Sequence, residues 1–324
     1  MKKTLRILLL SLSTALLALP LLWSFGLWYY QPISLLPSAA VLAAAGIWWK
    51  KRRRPSLHAV LWLLVAANLT TYALIPGPTP ERWQKPWAIA PEFEQHGDML
   101  TVRNIRDFRY RTEQDSDAHY RNETYDLSTL TGVDFAACHW DGLTAICHTM
   151  LSFRFADGRR LAVSAETRLP EGVEQGAIPG LYKKFGILYL FGTEEDLFGL
   201  RTNIRHEDLS VYPLNVRPEN ARKLLQHYIG LARHAEATHQ AYNTITDNCS
   251  TGIISAFRTL APDMPRKYDF LPLHNGDIAS LLLRHGAIPL RPGESEEEAR
   301  LRYYAGYDIP LESYSQNLRQ RTGN

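Results

Sequence analysis

The side chains best suited to nucleophilic chemistry in this chain are its three cysteines, Cys138, Cys147 and Cys249. A thiol attacks as the thiolate, so what matters is which of them sits where a negative charge is stabilised. Cys249 lies in the string YNTITDNCST, residues 242–251. Asp247 and Asn248 are good helix N-cap residues, which places Cys249 in the first turn of a helix. Unpaired backbone N–H groups and the positive end of the macrodipole favour a thiolate at that position. The alternative for a single such cysteine is a buried structural side chain. Cys138 and Cys147 flank a turn at 140–142 and could face each other, although connectivity cannot be read from sequence.

A thiolate nucleophile needs a base, and His148 is the candidate. The string ICHTMLSFRFADG, residues 146–158, reads as a strand and turn. His148, Met150, Ser152 and Arg154 point one way, and Cys147, Thr149, Leu151 and Phe153 the other. In the next strand Leu161, Val163 and Ala165 share one face, and Ser164, Glu166 and Arg168 share the opposite one. Burial requires the two apolar rows to coincide. A three-residue loop of Asp157, Gly158 and Arg159, a type I turn with Gly158 left-handed, meets that requirement. It makes Glu166 a diagonal neighbour of His148, where a carboxylate can orient an imidazole. A two-residue loop would turn Glu166 to the other face. Without that pairing, Glu166 would serve as an ion-pair partner of Arg154 or Arg168, and His148 as a half-buried histidine with a backbone partner. The remaining histidines make no metal set: His234 and His239 are five apart, and the Cys-His pairs at 138–139 and 147–148 lack zinc spacing. Neither a phosphate-binding glycine loop nor a nucleophile elbow occurs, so no cofactor and no metal are expected. Arg201, Arg205 and His206 read as solvated surface.

These residues need elements to hold them. From Met99 to about Leu214 the pattern is mostly β, and after Pro218 it turns helical. Ala221, Leu224, Leu225, Tyr228, Ile229 and Ala232 mark one face of a helix that opens at Pro218. Further helices are expected from near Asn248, over 277–285 with a stop at Gly286, and from Ser295, where a capping box begins. Strands followed by helices give an α+β domain.

The amino-terminal part is different in kind. No Asp or Glu precedes Glu81, and apolar segments run over about 7–28, 33–49 and 57–75. Spanning helices need about 17–25 apolar residues, so three crossings are expected. The amino terminus, with Lys2, Lys3 and Arg6, and the run from Lys50 to Arg54 are both basic, and positive loops stay in the cytoplasm. Three crossings satisfy both and leave the rest of the chain outside. A cleaved signal peptide over about 1–24 is the alternative reading, with the same result for the domain. The expected division is an anchor over 1–75, a proline-bearing linker over 76–97, a thiol domain over 98–270 and a helical extension over 271–324. Of 36 Lys and Arg, eight belong to the anchor, leaving 28 against 33 acidic residues in the remainder. That acidic balance argues against a nucleic-acid-binding surface.

The stretches at 148–168, 180–205, 212–214 and 242–249, with NIRDFRYRTE at 104–113 and HWDG at 139–142, resemble the Lnb N-terminal periplasmic domain family, also catalogued as domain of unknown function 4105. The likeness spans most of residues 98–260. That family is similar to circularly permuted papain-like thiol enzymes of the NlpC type, with an antiparallel sheet and helices. In the permuted order a strand histidine precedes a cysteine at a helix start. The resemblance therefore implies His148 as base and Cys249, in an Asn-Cys motif, as nucleophile. Glu166 is the candidate third, orienting residue. Asn248, Tyr242 and Ser152 are candidates for substrate or oxyanion contacts. It further implies acyl transfer to or from lipids or lipoproteins by a multi-pass protein of the bacterial inner membrane, its C-terminal domain in the periplasm. The best-known members of the family carry their membrane helices after the thiol domain, whereas here the apolar segments come before it. A cell-wall amidase or peptidase on the same scaffold, and a non-catalytic tethered interaction module, are the competing expectations.

Overall fold

The computed structural model describes residues 2–31, 34–51, 55–140, 142, 144–265, 268 and 275–323. Its first three helices are α1 (Lys2–Tyr30), α2 (Leu35–Lys51) and α3 (Pro55–Leu74). Leu17, Val41, Trp48, Leu61 and Val65 pack between them, while Leu19, Leu22, Leu36 and Leu63 face outward. Asn68 ties the three helices together, donating to Ser24 Oγ at 3.0 Å and accepting from Ser38 Oγ at 3.1 Å. One helix, Ser56–Leu74, is long and apolar enough to cross a membrane, and Leu16–Tyr30 is a shorter apolar helix. Arg52, Arg53 and Arg54 of the expected cytoplasmic loop lie outside the described residues.

The remainder is α+β. The strands are β1 (Glu92–His96), β2 (Met99–Arg106), β3 (Arg109–Tyr110), β4 (Ser116–Asp117), β5 (Tyr120–Asp126), β6 (Leu130–His139), β7 (His148–Phe155), β8 (Arg160–Arg168), β9 (Gly186–Gly192) and β10 (Asp208–Pro213). The main sheet runs β1-β2-β9-β8-β7-β6-β10, with β5 on β2 and β3-β4 as a separate pair. All of its pairings are antiparallel except β2 with β9.

Both faces of the sheet are covered. On one lie α6 (Pro218–Thr238), α7 (Cys249–Leu260) and α8 (Ile278–Arg284), packed on Phe135, Leu151, Phe153, Val163 and Tyr189. On the other lie α5 (Glu194–Leu197), a π-turn at Leu200–Ile204 and α10 (Tyr314–Thr322), packed on Ala136, Met150, Ala162, Leu188 and Leu190. Two-sided burial explains why β9 is buried along its whole length.

Four expectations change. The stretch over 76–97 is not all linker, because Glu92–His96 pairs with β2 as β1. The extension over 271–324 is part of the domain: Ile278, Leu282 and Leu283 enter one core layer, and Tyr314 and Leu318 the other. The β7-β8 register is also two residues tighter than expected. Leu151 pairs with Val163, and the loop is Ala156–Gly158, with Gly158 at φ +85° in its last position. A type I turn followed by a left-handed residue puts the glycine third, so the apolar rows still coincide. Finally, Cys138 and Cys147 are both free. Cys138 faces the α10 layer and Cys147 the α7 layer, so the sheet itself stands between them.

Candidate active site

Cys249 opens α7. Asn248 caps it, its Oδ1 accepting from Ser250 N at 2.9 Å and Thr251 N at 3.0 Å, while Thr251 Oγ1 accepts from Asn248 N at 2.8 Å. Asn248 Nδ2 donates to Thr244 O at 2.9 Å. Its Oδ1 is thus committed to building the helix start, and one of its two Nδ2 hydrogens is taken by Thr244 O. The Cys249 N–H, at the first helical position, has no partner among the described residues and is free to donate.

The loop before it is equally well held. Asn243 Oδ1 accepts from Ile245 N at 2.9 Å and Thr246 N at 3.1 Å, and Asn243 and Asp247 exchange both backbone hydrogen bonds. Tyr242 N donates to Phe185 O at 2.9 Å, stitching the loop to the segment that enters β9. Burial pushes the Tyr242 hydroxyl up, and the Cys249 charge adds to that, which places this side chain beside the thiol.

His148 begins β7, facing the thiol; Ser250 Oγ lies 3.8 Å from the sulfur. The other side of the imidazole is fixed by β8. His148 Nε2 is 2.7 Å from Ser164 Oγ and 3.1 Å from Glu166 Oε1, and Ser164 Oγ donates to that same carboxylate oxygen at 2.5 Å. Nε2 is therefore the nitrogen committed to the carboxylate side, which leaves Nδ1 for the thiol. Continuing the observed β7-β8 register by two residues sets Glu166 directly opposite His148, closer than the diagonal placement expected from sequence.

Behind Glu166 stands Arg201. Its Nη2 meets Glu166 Oε1 at 3.0 Å and its Nη1 meets Glu207 Oε2 at 3.2 Å. Cys138 Sγ donates to Glu207 Oε2 at 3.0 Å. Arg201 is buried, which corrects its reading as solvated surface. A cavity of about 30 Å³, large enough for one water, adjoins Glu166 and Arg201 and is also lined by Arg106 and Tyr110.

The electrostatics follow from these contacts. Burial opposes ionisation of the Cys249 thiol, but the charge of the neighbouring His148 outweighs it, bringing the thiol down to about 6. Burial and Arg201 oppose the imidazolium, yet Glu166 and Cys249 together push His148 up to about 9. Burial would also raise the Glu166 carboxyl, but His148 and then Arg201 hold it well below the usual carboxylate range. These shifts run in the direction that favours a thiolate–imidazolium pair backed by a carboxylate. Burial pushes the other two thiols up, so neither is a nucleophile there.

Asn275 carries no sequence signal and yet joins the immediate neighbours of both reacting residues. Its Oδ1 accepts from Cys147 N at 2.7 Å, and its Nδ2 donates to Cys147 O at 2.6 Å and Ser250 Oγ at 2.5 Å. It clamps the residue before His148 to the residue after Cys249. Ser164 was likewise missed, although its parity with Glu166 on β8 is a usable signal. Ser152 does not join the site. It shares the His148 face of β7 but gives its hydroxyl to Glu194 at 2.5 Å, in the buried ion cluster of Asp134, Glu194 and Arg319. A larger cavity of about 690 Å³ lies at the β6-β10 edge against His139, Asp208, Arg300 and Tyr304, and none of Cys249, His148 and Glu166 lines it.

The model of the Lnb N-terminal periplasmic domain family matches residues 116–282, slightly more than half of the 324-residue chain. The matched segment contains Cys249, His148, Glu166, Ser164, Arg201 and Asn275, and excludes α1–α3. No curated protein matches the chain, and no solved structure does.

Proposed function

The chain belongs to the Lnb N-terminal periplasmic domain family, and we propose that it is a membrane-anchored periplasmic thiol acyltransferase or hydrolase acting on the acyl groups of lipids or lipoproteins. The observation that supports this best is the Cys249–His148–Glu166 constellation, with its thiol lowered and its imidazole raised around neutral pH. The anchor in this reading is α1–α3 crossing the inner membrane three times, with the domain on the periplasmic side.

In the reaction the Cys249 thiolate attacks the acyl carbonyl carbon of an ester, forming a C–S bond. The oxyanion accepts a hydrogen bond from the Cys249 N–H at the helix start. His148 gives its proton to the departing alkoxide as the C–O bond breaks, leaving a thioester and a neutral imidazole. An amine or a water then attacks the thioester, His148 takes its proton, and Cys249 leaves as the thiolate. Glu166, through direct contact and through Ser164, keeps the imidazole oriented and stabilises its charged form.

The test is intact-mass measurement of the full chain after incubation with phospholipid vesicles. An acyl mass that neutral hydroxylamine removes, and that the Cys249→Ser protein never acquires, is expected. A Cys249→Ala protein that still turned over the acyl substrate would sink the reading. Release of peptide from peptidoglycan fragments, with no acyl adduct from any lipid, would favour a cell-wall amidase on the same scaffold instead.

A further inference from the structure

The domain does not hang from the anchor on a slack tether; it is seated on the end of α3, and the seat is made by the loop that leads to Cys249. Lys183 Nζ donates to three carbonyls at the carboxyl end of α3, Tyr72 O at 2.9 Å, Ala73 O at 3.3 Å and Ile75 O at 2.7 Å. A cation there meets the negative end of the helix macrodipole. Tyr72 Oη donates to Leu181 O at 2.9 Å and accepts from Asn243 Nδ2 at 2.9 Å. The Tyr182 ring is buried with Leu27 and Ile75 and stacks on Tyr30 at 5.2 Å. Gly26 makes room for it, since a Cβ there would collide with the Tyr182 hydroxyl.

These contacts set the height of the domain relative to a bilayer. The apolar span Ser56–Leu74 ends where Lys183 and Asn243 touch it. The rings gathered around that end, Trp23, Tyr30, Tyr72 and Tyr182, are of the type that collects at the membrane–water boundary. The two domain segments at this level pack on each other, with Thr244 Oγ1 donating to Ala177 O at 2.8 Å. Each carries one large aliphatic side chain that the fold leaves uncovered. Ile178 is 60% exposed and Ile245 is 45% exposed, on loops otherwise satisfied by their own hydrogen bonds.

We infer that the loops at 177–183 and 243–247 form a lip that dips into the outer leaflet, with Ile178 and Ile245 among the acyl chains, so that an acyl substrate reaches Cys249 sideways from the bilayer. The membrane contact stands on α3 and its docking alone. Passage of the substrate rests on the acyl-transfer reading above. Ile245 precedes Cys249 by four residues, and Asn243 links that loop to α3, so the same short segment meets the membrane and delivers the nucleophile. Substrate chemistry follows: a diacyl lipid or a lipid-modified protein held in the leaflet, in preference to a soluble ester.

The full-length protein in phosphatidylcholine–phosphatidylglycerol vesicles tests this, with a benzophenone amino acid placed at position 178, at 245, or at the exposed Leu311 as control. Photolysis should give lipid adducts at 178 and 245 at least tenfold above those at 311. Equal labelling at all three positions, or none at 178 and 245, would overturn the lip. In parallel, Ile178→Asp with Ile245→Asp should lower acylation of Cys249 by vesicle lipid at least tenfold, while leaving its acylation by a water-soluble short-chain thioester within twofold. Equal loss with both donors would overturn sideways entry. Lipid adducts at 178 and 245 together with an unacylated Cys249 for every donor would leave the lip in place and remove the acyl-transfer reading.

Discussion

Whether Cys249 is charged depends on which side of His148 the carboxylate holds. Glu166 Oε1 gathers Ser164, His148 and Arg201 within 2.5–3.1 Å, so one oxygen meets two basic groups and one hydroxyl. Arg201 alone would repel the imidazolium; Glu166 outweighs it and favours the charged pair. The consequence for pH has a definite sign. The thiolate is lost as pH falls through about 6, and the imidazolium is lost as pH rises through about 9, so kcat/KM should be bell-shaped between those limits. Glu166→Gln leaves Arg201 opposing the imidazolium without its counter-charge. The basic limb should move down, the acidic limb up, and the plateau should fall by roughly 10²-fold. A profile shifted in neither limb would remove Glu166 from its orienting role. The alkylation rate of Cys249 by iodoacetamide against pH reads the acidic limb without any substrate. A capping signal singles out Cys249 and a strand beside a turn singles out His148, but it is the family resemblance that joins them as a candidate nucleophile and base. Glu166 was legible because strand parity confines it to the His148 face. Arg201 was not, because nothing local to a π-turn announces that a guanidinium is buried against two carboxylates from other segments.

Elements hold these residues in register, and Asn275 shows how. It satisfies both backbone groups of Cys147 and the hydroxyl of Ser250, tying β7 to α7 at the one point where their reacting residues meet. Asn275→Ala should strand the buried Cys147 N–H and C=O and cost about 1–3 kcal/mol per unsatisfied group. A merely structural role would change stability alone. A clamp should also raise the pH at which Cys249 is alkylated half-maximally, as His148 and the thiol drift apart, and a thiol titration unchanged from the parent protein would rule the clamp out. The helices that carry the site could be read in advance because their ends are signalled locally. Ser295 heads the capping box its neighbours suggest, Asn248 takes the N-cap position expected near it, and Gly286 takes φ +67° just past α8. The hairpin register was off by two because an even shift preserves the apolar rows, and periodicity is blind to such a shift. Only the left-handed glycine, placed last in the loop, decides it. The second helical layer escaped notice for a related reason. A strand buried on both faces shows no alternation to announce what covers it, and β9 shows none.

At the scale of the whole molecule, the tail and the helices α1–α3 both pack against the domain. Arg319, near the end of the chain, is buried against Asp134 and Glu194, more than a hundred residues away. Arg319→Ala leaves two carboxylates without it in the interior and should cost about 3–5 kcal/mol, measured by denaturant unfolding of the full chain in detergent. An effect below about 1 kcal/mol would mean that Arg154 and Arg160, which also reach Asp134, suffice. No sequence pattern near Arg319 points to Asp134, since ion pairs over such separations leave no periodic trace. At the other end, Gly26 sits where α1 meets Tyr182. A leucine there cannot be accommodated by swinging the tyrosine aside, because its ring is 5% exposed and stacked on Tyr30. Gly26→Leu should therefore unseat the loop that bears Lys183 and Lys184 from the end of α3 while leaving both layers of the sheet core intact. Trypsin should then cut at Lys183 or Lys184 at least tenfold faster in the intact protein, with the melting temperature of the domain changed by no more than a degree or two. Cleavage that rose only together with a lowered melting temperature would mean that the helix contact supports the core as a whole and does not act as a separable seat for the nucleophile loop.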